Sequence, residues 1–66
     1  MKKFTVRPDK NADSWFLKLE DVAPQENFDQ MDDATEAGKK LASENSPSQL
    51  TIYNQHNEVV EEINFN

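Results

Sequence analysis

Sixty-six residues suffice for one domain, and a chain this short buries only about 60% of the surface it exposes when unfolded. Hydrophobic residues make up 35% of it and the net charge is −6, so any core is thin against the roughly 45–50% apolar content of ordinary domains. Cysteine is absent, which excludes a disulfide framework and a thiolate metal site and fits a reducing cytoplasm.

Met1-Lys2-Lys3 resembles the start of a signal peptide, but Phe4-Thr5-Val6-Arg7-Pro8 supplies no apolar run of the roughly 7–15 residues that export requires. The expectation is therefore a cytoplasmic protein with no membrane segment. Phe4 and Val6 alternate with Lys3, Thr5 and Arg7, the period-2 pattern of a half-buried strand, and Pro8 closes it. Asp9 to Asp13 reads as a polar loop. From Ser14 to Glu20 the alternation resumes, with Trp15, Leu17 and Leu19 on one face and Phe16 and Lys18 on the other. These two runs predict a β-hairpin.

Residues 21 to 30 carry Pro24 and polar residues without a sustained period, predicting a connection anchored by Phe28. From Met31 onward, Ala34, Ala37, Gly38, Leu41 and Ala42 form one apolar stripe at helical spacing. Asp29, Asp32, Asp33 and Glu36 crowd the positive end of that helix dipole, and Glu36 and Lys40 are a favourable i,i+4 pair. Asp29, Gln30 and Asp32 are the candidate N-caps. A glycine inside a helix costs about 1 kcal/mol relative to alanine, so Gly38 implies close packing of helix on sheet. Asn45-Ser46-Pro47-Ser48 ends the helix.

Leu50 and Ile52 then alternate with Gln49, Thr51 and Tyr53. After Asn54-Gln55-His56-Asn57, Val59, Ile63 and Phe65 share one parity, predicting a second hairpin. Glu61 falls on that inward parity, which calls for a frayed sheet end or a β-bulge. Residues 1 to 66 thus read as a single ββαββ domain of the α+β class: a small antiparallel or mixed four-stranded sheet with one helix packed on one face. Trp15, Leu17, Leu19, Leu50, Ile52, Val59 and Ile63 are expected to face the helix stripe. This agreement between levels argues against disorder, which low hydrophobicity and high charge would otherwise favour.

Phe4-Thr5-Val6-x-Pro8, Trp15-x-Leu17-Lys18, Phe28, Ala34-x-x-Ala37-Gly38-x-x-Leu41-Ala42, Leu50-x-Ile52-Tyr53 and Asn57-x-Val59, in this order, resemble domain-of-unknown-function family 2188, short proteins common in bacteria and mobile elements. The resemblance spans nearly the whole chain and implies a ββαββ fold, but no reaction, cofactor or site residues. Asn57 and Gly38 stand where the family more usually has glycine and alanine; asparagine tolerates a left-handed turn.

Asp9-x-Asn11-x-Asp13 followed by Glu20 matches positions 1, 3, 5 and 12 of a calcium loop. Ser14 stands where the sharp turn needs glycine, however, and a strand rather than a helix follows, so a polar hairpin loop is the better reading. A lone histidine, His56, gives a multi-histidine metal site or a Ser-His-Asp arrangement little to build on. So thin a domain offers no water-excluding cleft to separate the pKa values of an acid–base pair. The expectation is a non-enzymatic protein with no cofactor and no metal.

The sheet face away from the helix should present Thr5, Arg7, Phe16, Lys18, Thr51, Tyr53, Val60 and Glu62. Arg7, Phe16, Lys18, Tyr53, Val60 and Glu62 are the candidate partner-binding residues, aromatics and arginine being frequent anchors of interfaces. A Phe16–Tyr53 pair across strands is the plainer account of the aromatics. Acids outnumber bases thirteen to seven, which disfavours direct nucleic-acid binding. The charges are sorted: Lys2, Lys3, Arg7, Lys10 and Lys18 lie in the first hairpin, and residues 41 to 66 hold four glutamates and no base, a pattern that pairing of Lys3 or Arg7 with the last strand would explain. The leading expectation is an interaction module that binds a protein partner, or a second copy of itself as a homodimer, through the open sheet face or a strand edge. The alternative is an acidic inhibitor from a mobile element or phage that blocks a basic nucleic-acid-binding protein by charge mimicry.

Overall fold

The alternation of Phe4, Val6 and Pro8 with Lys3, Thr5 and Arg7 becomes strand β1 (Lys2–Pro8), which buries the first set and leaves the second outward. In the computed structural model, which describes residues 1–11, 13–19 and 26–66, the further elements are β2 (Trp15–Leu19), β3 (Glu26–Phe28), α1 (Met31–Glu44), β4 (Ser48–Tyr53) and β5 (Val59–Phe65). The strands form one five-stranded sheet in the order β3-β2-β1-β4-β5. β1 and β4 run parallel, and the other neighbouring pairs are antiparallel. Parallel neighbours need a long crossover, and α1 supplies it, carrying the chain from the β3 edge back over the sheet to the far side of β1. The protein is an α+β fold with one helix on a mixed sheet.

The expected four strands are five. Glu26–Phe28, assigned to the connection across 21–30, pairs with β2, Phe28 facing Trp15 and Glu26 facing Leu17. Three residues with one apolar side chain cannot display a period, so this strand exists only through its partner. Phe28 is the anchor expected of it, half-buried against the core. Residues 20–25, including the first half of that connection, lie outside the described residues.

Helix α1 begins at the N-cap Gln30, which makes no side-chain capping bond, with Asp32 and Asp33 in the first turn. It ends at Asn45, whose N–H donates to the Ala42 carbonyl at 3.1 Å and whose Nδ2 donates to the Leu41 carbonyl at 2.8 Å. Ser48, the buried polar residue that opens β4, donates its hydroxyl to the Ala42 carbonyl as well. Carbonyls left over at the helix end are thereby satisfied by the cap residue and by the strand that follows.

Ala34, Gly38 and Ala42 form the buried line of α1, with Ala37 and Leu41 half-buried beside it. They lie on Phe4, Val6, Trp15, Leu17, Leu50 and Ile52, which complete the core. A Cβ on Gly38 would stand 3.1 Å from Leu50 Cδ1 and 3.3 Å from both Leu17 Cδ1 and Val6 Cγ2. The missing side chain thus lets the helix settle against three core residues of three strands, the close packing that a mid-helix glycine implied.

Val59, expected to face the helix, is 54% exposed. A register shift between Ile52 and Tyr53 sets Glu61 opposite Ile52 but Val59 opposite Tyr53, leaving Val60 as the extra residue of a bulge. One inserted residue reverses parity, so Val59 changes sides while Ile63 and Phe65 keep theirs. The bulge lies before Glu61 and leaves it on the helix-side parity. It stays exposed there, on the edge strand. Among the described residues, no helix is long and apolar enough to cross a membrane.

Candidate functional site

The face away from α1 is organised in rows that run across the strands. In the first, Asn27 of β3 pairs with Phe16 of β2, Phe16 with Arg7 of β1, and Arg7 lies beside Tyr53 of β4, which pairs with Val59 of β5. In the second, Lys18 pairs with Thr5, Thr5 with Thr51, and Thr51 with Glu62. In the third, Lys3 pairs with Gln49 and Gln49 with Asn64. Antiparallel and parallel pairing alike put these partners on one side of the pleat.

Arg7 stacks its guanidinium over the Tyr53 ring, 4.1 Å from the centroid, a cation–π contact that holds a long side chain down on the sheet. Lys3, Thr5, Arg7, Lys18, Gln49, Thr51 and Tyr53 line a shallow open groove of ≈ 560 Å³. On its floor the Thr5 Oγ1 is shielded from solvent and has no hydrogen-bond partner among the described residues. At the rim Gln49 Nε2 donates to Glu62 Oε1 at 2.8 Å.

Of the six residues singled out from sequence, Arg7, Lys18 and Tyr53 line the groove, and Glu62 stands at its rim through Gln49. Phe16 is half-buried on the same face, paired directly with Arg7 but not itself a lining residue of the groove. Val60 sits in the bulge, 51% exposed and away from the groove. Phe16 and Tyr53 do not form the cross-strand aromatic pair, because β1 runs between their strands and Arg7 occupies the place between them. Lys3, Thr5, Gln49 and Thr51 complete the groove; Lys3 and Gln49 had a legible signal, the outward parity of their strands, but near the strand starts nothing in the sequence said which neighbours they would have.

The expected pairing of Lys3 or Arg7 with the last strand does not occur. β4 separates β1 from β5, so the two strands lie two spacings, about 9.5 Å, apart. The calcium-like loop has its own use for its first acid. Asp9 Oδ1 accepts from the N–H groups of Asn11 at 3.1 Å and Asp13 at 2.9 Å, and Oδ2 accepts from the Ser14 hydroxyl at 3.0 Å. Desolvation works to raise its pKa, but the hydrogen bonds from Asp13, Ser14 and Asn11 together outweigh it and hold the carboxyl below its ordinary value. Asp9 organises the hairpin loop, and Glu20 lies outside the described residues.

The turn between β4 and β5 is built the same way, from Asn54. Its Oδ1 accepts from the N–H groups of His56 at 2.8 Å and Glu58 at 3.0 Å. Asn57 takes the left-handed conformation, φ 62°, which asparagine adopts at little cost. His56 is exposed in this turn.

Residues 4–65, the span that holds all five strands and the helix apart from two terminal strand residues, match the family model described as "Uncharacterized protein conserved in bacteria (DUF2188)". The chain belongs to this family. It is 45% identical over 65 residues to the "Uncharacterized protein YycD" of Bacillus subtilis strain 168, covering 98% of each chain. No solved structure matches it. Family membership therefore brings the fold's sequence pattern and no assigned chemistry.

Proposed function

We propose that this protein is a small non-enzymatic interaction module that binds a protein partner on the open face of its sheet. The observation that carries the reading is the Arg7–Tyr53 stack lining a groove that no described residue covers. Arginine and tyrosine are the residue types that dominate interface energetics, and this pair is held in place before any partner arrives. The strand edges support docking less well. β3 offers three residues, and β5 carries exposed Glu61 and Glu62 with a bulge near its start, the features with which natural proteins discourage edge-to-edge pairing. The absence of cysteine supports a cytoplasmic setting for this role.

Affinity capture from the native host, comparing the parent with a Phe16→Ala/Tyr53→Ala variant, tests the reading. Loss of specific partners in the variant is the expected result; undiminished capture of every partner would remove the open face from consideration. Charge mimicry is the competing account. It would act through carboxylates elsewhere, such as Asp32, Asp33 and Glu36 on α1 and Glu61 on β5, would be indifferent to the double substitution, and would weaken steeply with salt.

A further inference from the structure

Within a chain of net charge −6, the centre of the uncovered face is cationic, and its three cations stand at even steps. Lys3 and Arg7 belong to β1, four residues apart, and Lys18 pairs with Thr5 midway between them. At about 3.3 Å per residue, successive levels along β1 are about 6.6 Å apart, which is also the distance between alternate side chains of any extended peptide. Glu62 is the one carboxylate among the described strand residues of this face. It lies two strands from β1, with Oε1 engaged by Gln49.

We infer that the groove takes an extended acidic segment of a partner protein, running along β1 with carboxylates at three alternate positions facing Lys3, Lys18 and Arg7. The inference rests on the open-face reading above and names the chemistry of the partner. Single-stranded nucleic acid, the other polyanion that sheet faces bind, needs free aromatic faces for its bases. Here one face of the Tyr53 ring is covered by the Arg7 guanidinium. A long polyanion would also extend past the cations into the negative field of the rest of the chain, whereas a short segment stays within about one Debye length of them.

The test uses the full chain, NMR shift mapping and four probes: a peptide with Glu at three alternate positions separated by Ser, the same composition with the three Glu consecutive, the alternate peptide with Gln for Glu, and an oligothymidylate of similar length. The alternate-Glu peptide should bind and move the amides of Lys3, Thr5, Arg7, Lys18 and Thr51. The consecutive isomer should bind more weakly, because one carboxylate then points away from the sheet, and the Gln peptide should not bind. Lys18→Gln should weaken binding about two- to fivefold, the range for one exposed ion pair, and Lys18→Glu more, with thermal unfolding of both variants like the parent's. Equal binding of the Gln or the consecutive peptide, tighter binding of the oligonucleotide, shifts that map to α1 or β5, or no binding of the alternate peptide would each overturn the inference. Should the acidic peptide fail while the Phe16/Tyr53 variant still loses its native partners, the acidic segment is wrong and the open-face reading stands.

Discussion

Asp9 shows how a residue that resembles a metal ligand is absorbed by its own loop. Three donors converge on its carboxylate, and a group that accepts them is stabilised in its charged form, so its pKa lies below the ordinary 3.8. A carboxyl depressed in the folded state contributes stability above its unfolded value and loses it as pH falls through the folded one. Acidification from about pH 5 to about pH 2 should therefore move and expose the Asn11 and Asp13 amides, as read by NMR titration and amide exchange. Amides unmoved over that range would mean that the loop is held by something other than this carboxylate. Nothing in the sequence distinguished this use of Asp9 from a calcium ligand except the missing glycine at Ser14 and the strand that follows.

Among the elements, β5 carries the clearest design against self-pairing. It is an edge strand of seven residues with exposed Val59 and Val60, an invitation to a second copy that the carboxylates of Glu61 and Glu62 and the bulge oppose. Glu61→Thr/Glu62→Thr should increase self-association, read by sedimentation velocity at matched concentration. A variant that stays as dispersed as the parent would show that the bulge alone blocks the edge. The strand itself was legible from alternation, but not the side on which Val59 lies: an inserted residue inverts everything on one side of it, and its position depends on the hydrogen bonding to β4. β3 was illegible for a different reason, since three residues hold no period and only the pairing with β2 defines them.

For the molecule as a whole, the thin core sets the scale of stability. At about 0.05–0.15 kcal/mol per residue, a chain of this length has roughly 3–10 kcal/mol in total. Leu17 is 1% exposed and reaches Gly38 from the centre of the sheet. A Leu→Ala change in such a site costs about 2–5 kcal/mol, so Leu17→Ala should remove a large share of that total and move the urea midpoint well below the parent's. Far-ultraviolet circular dichroism with urea unfolding measures this, and a loss under about 1 kcal/mol would mean that the helix and sheet are less tightly joined than described. Phe16→Ala, on the open side, should cost far less, which keeps the binding experiments interpretable.

The sequence by itself determined the helix and four of the five strands, which side of each faces inward except at the start of β5, and the family, because alternation and helical spacing are local properties. Only the tertiary structure decided what lies next to what. The crossover through α1 inserts β4 beside β1 and moves β5 to the edge, so Lys3 meets Gln49 and Arg7 meets Tyr53 instead of the glutamates of the last strand. Periodicity carries no information about strand order, and it is strand order that keeps the cations of β1 away from the glutamates of the last strand.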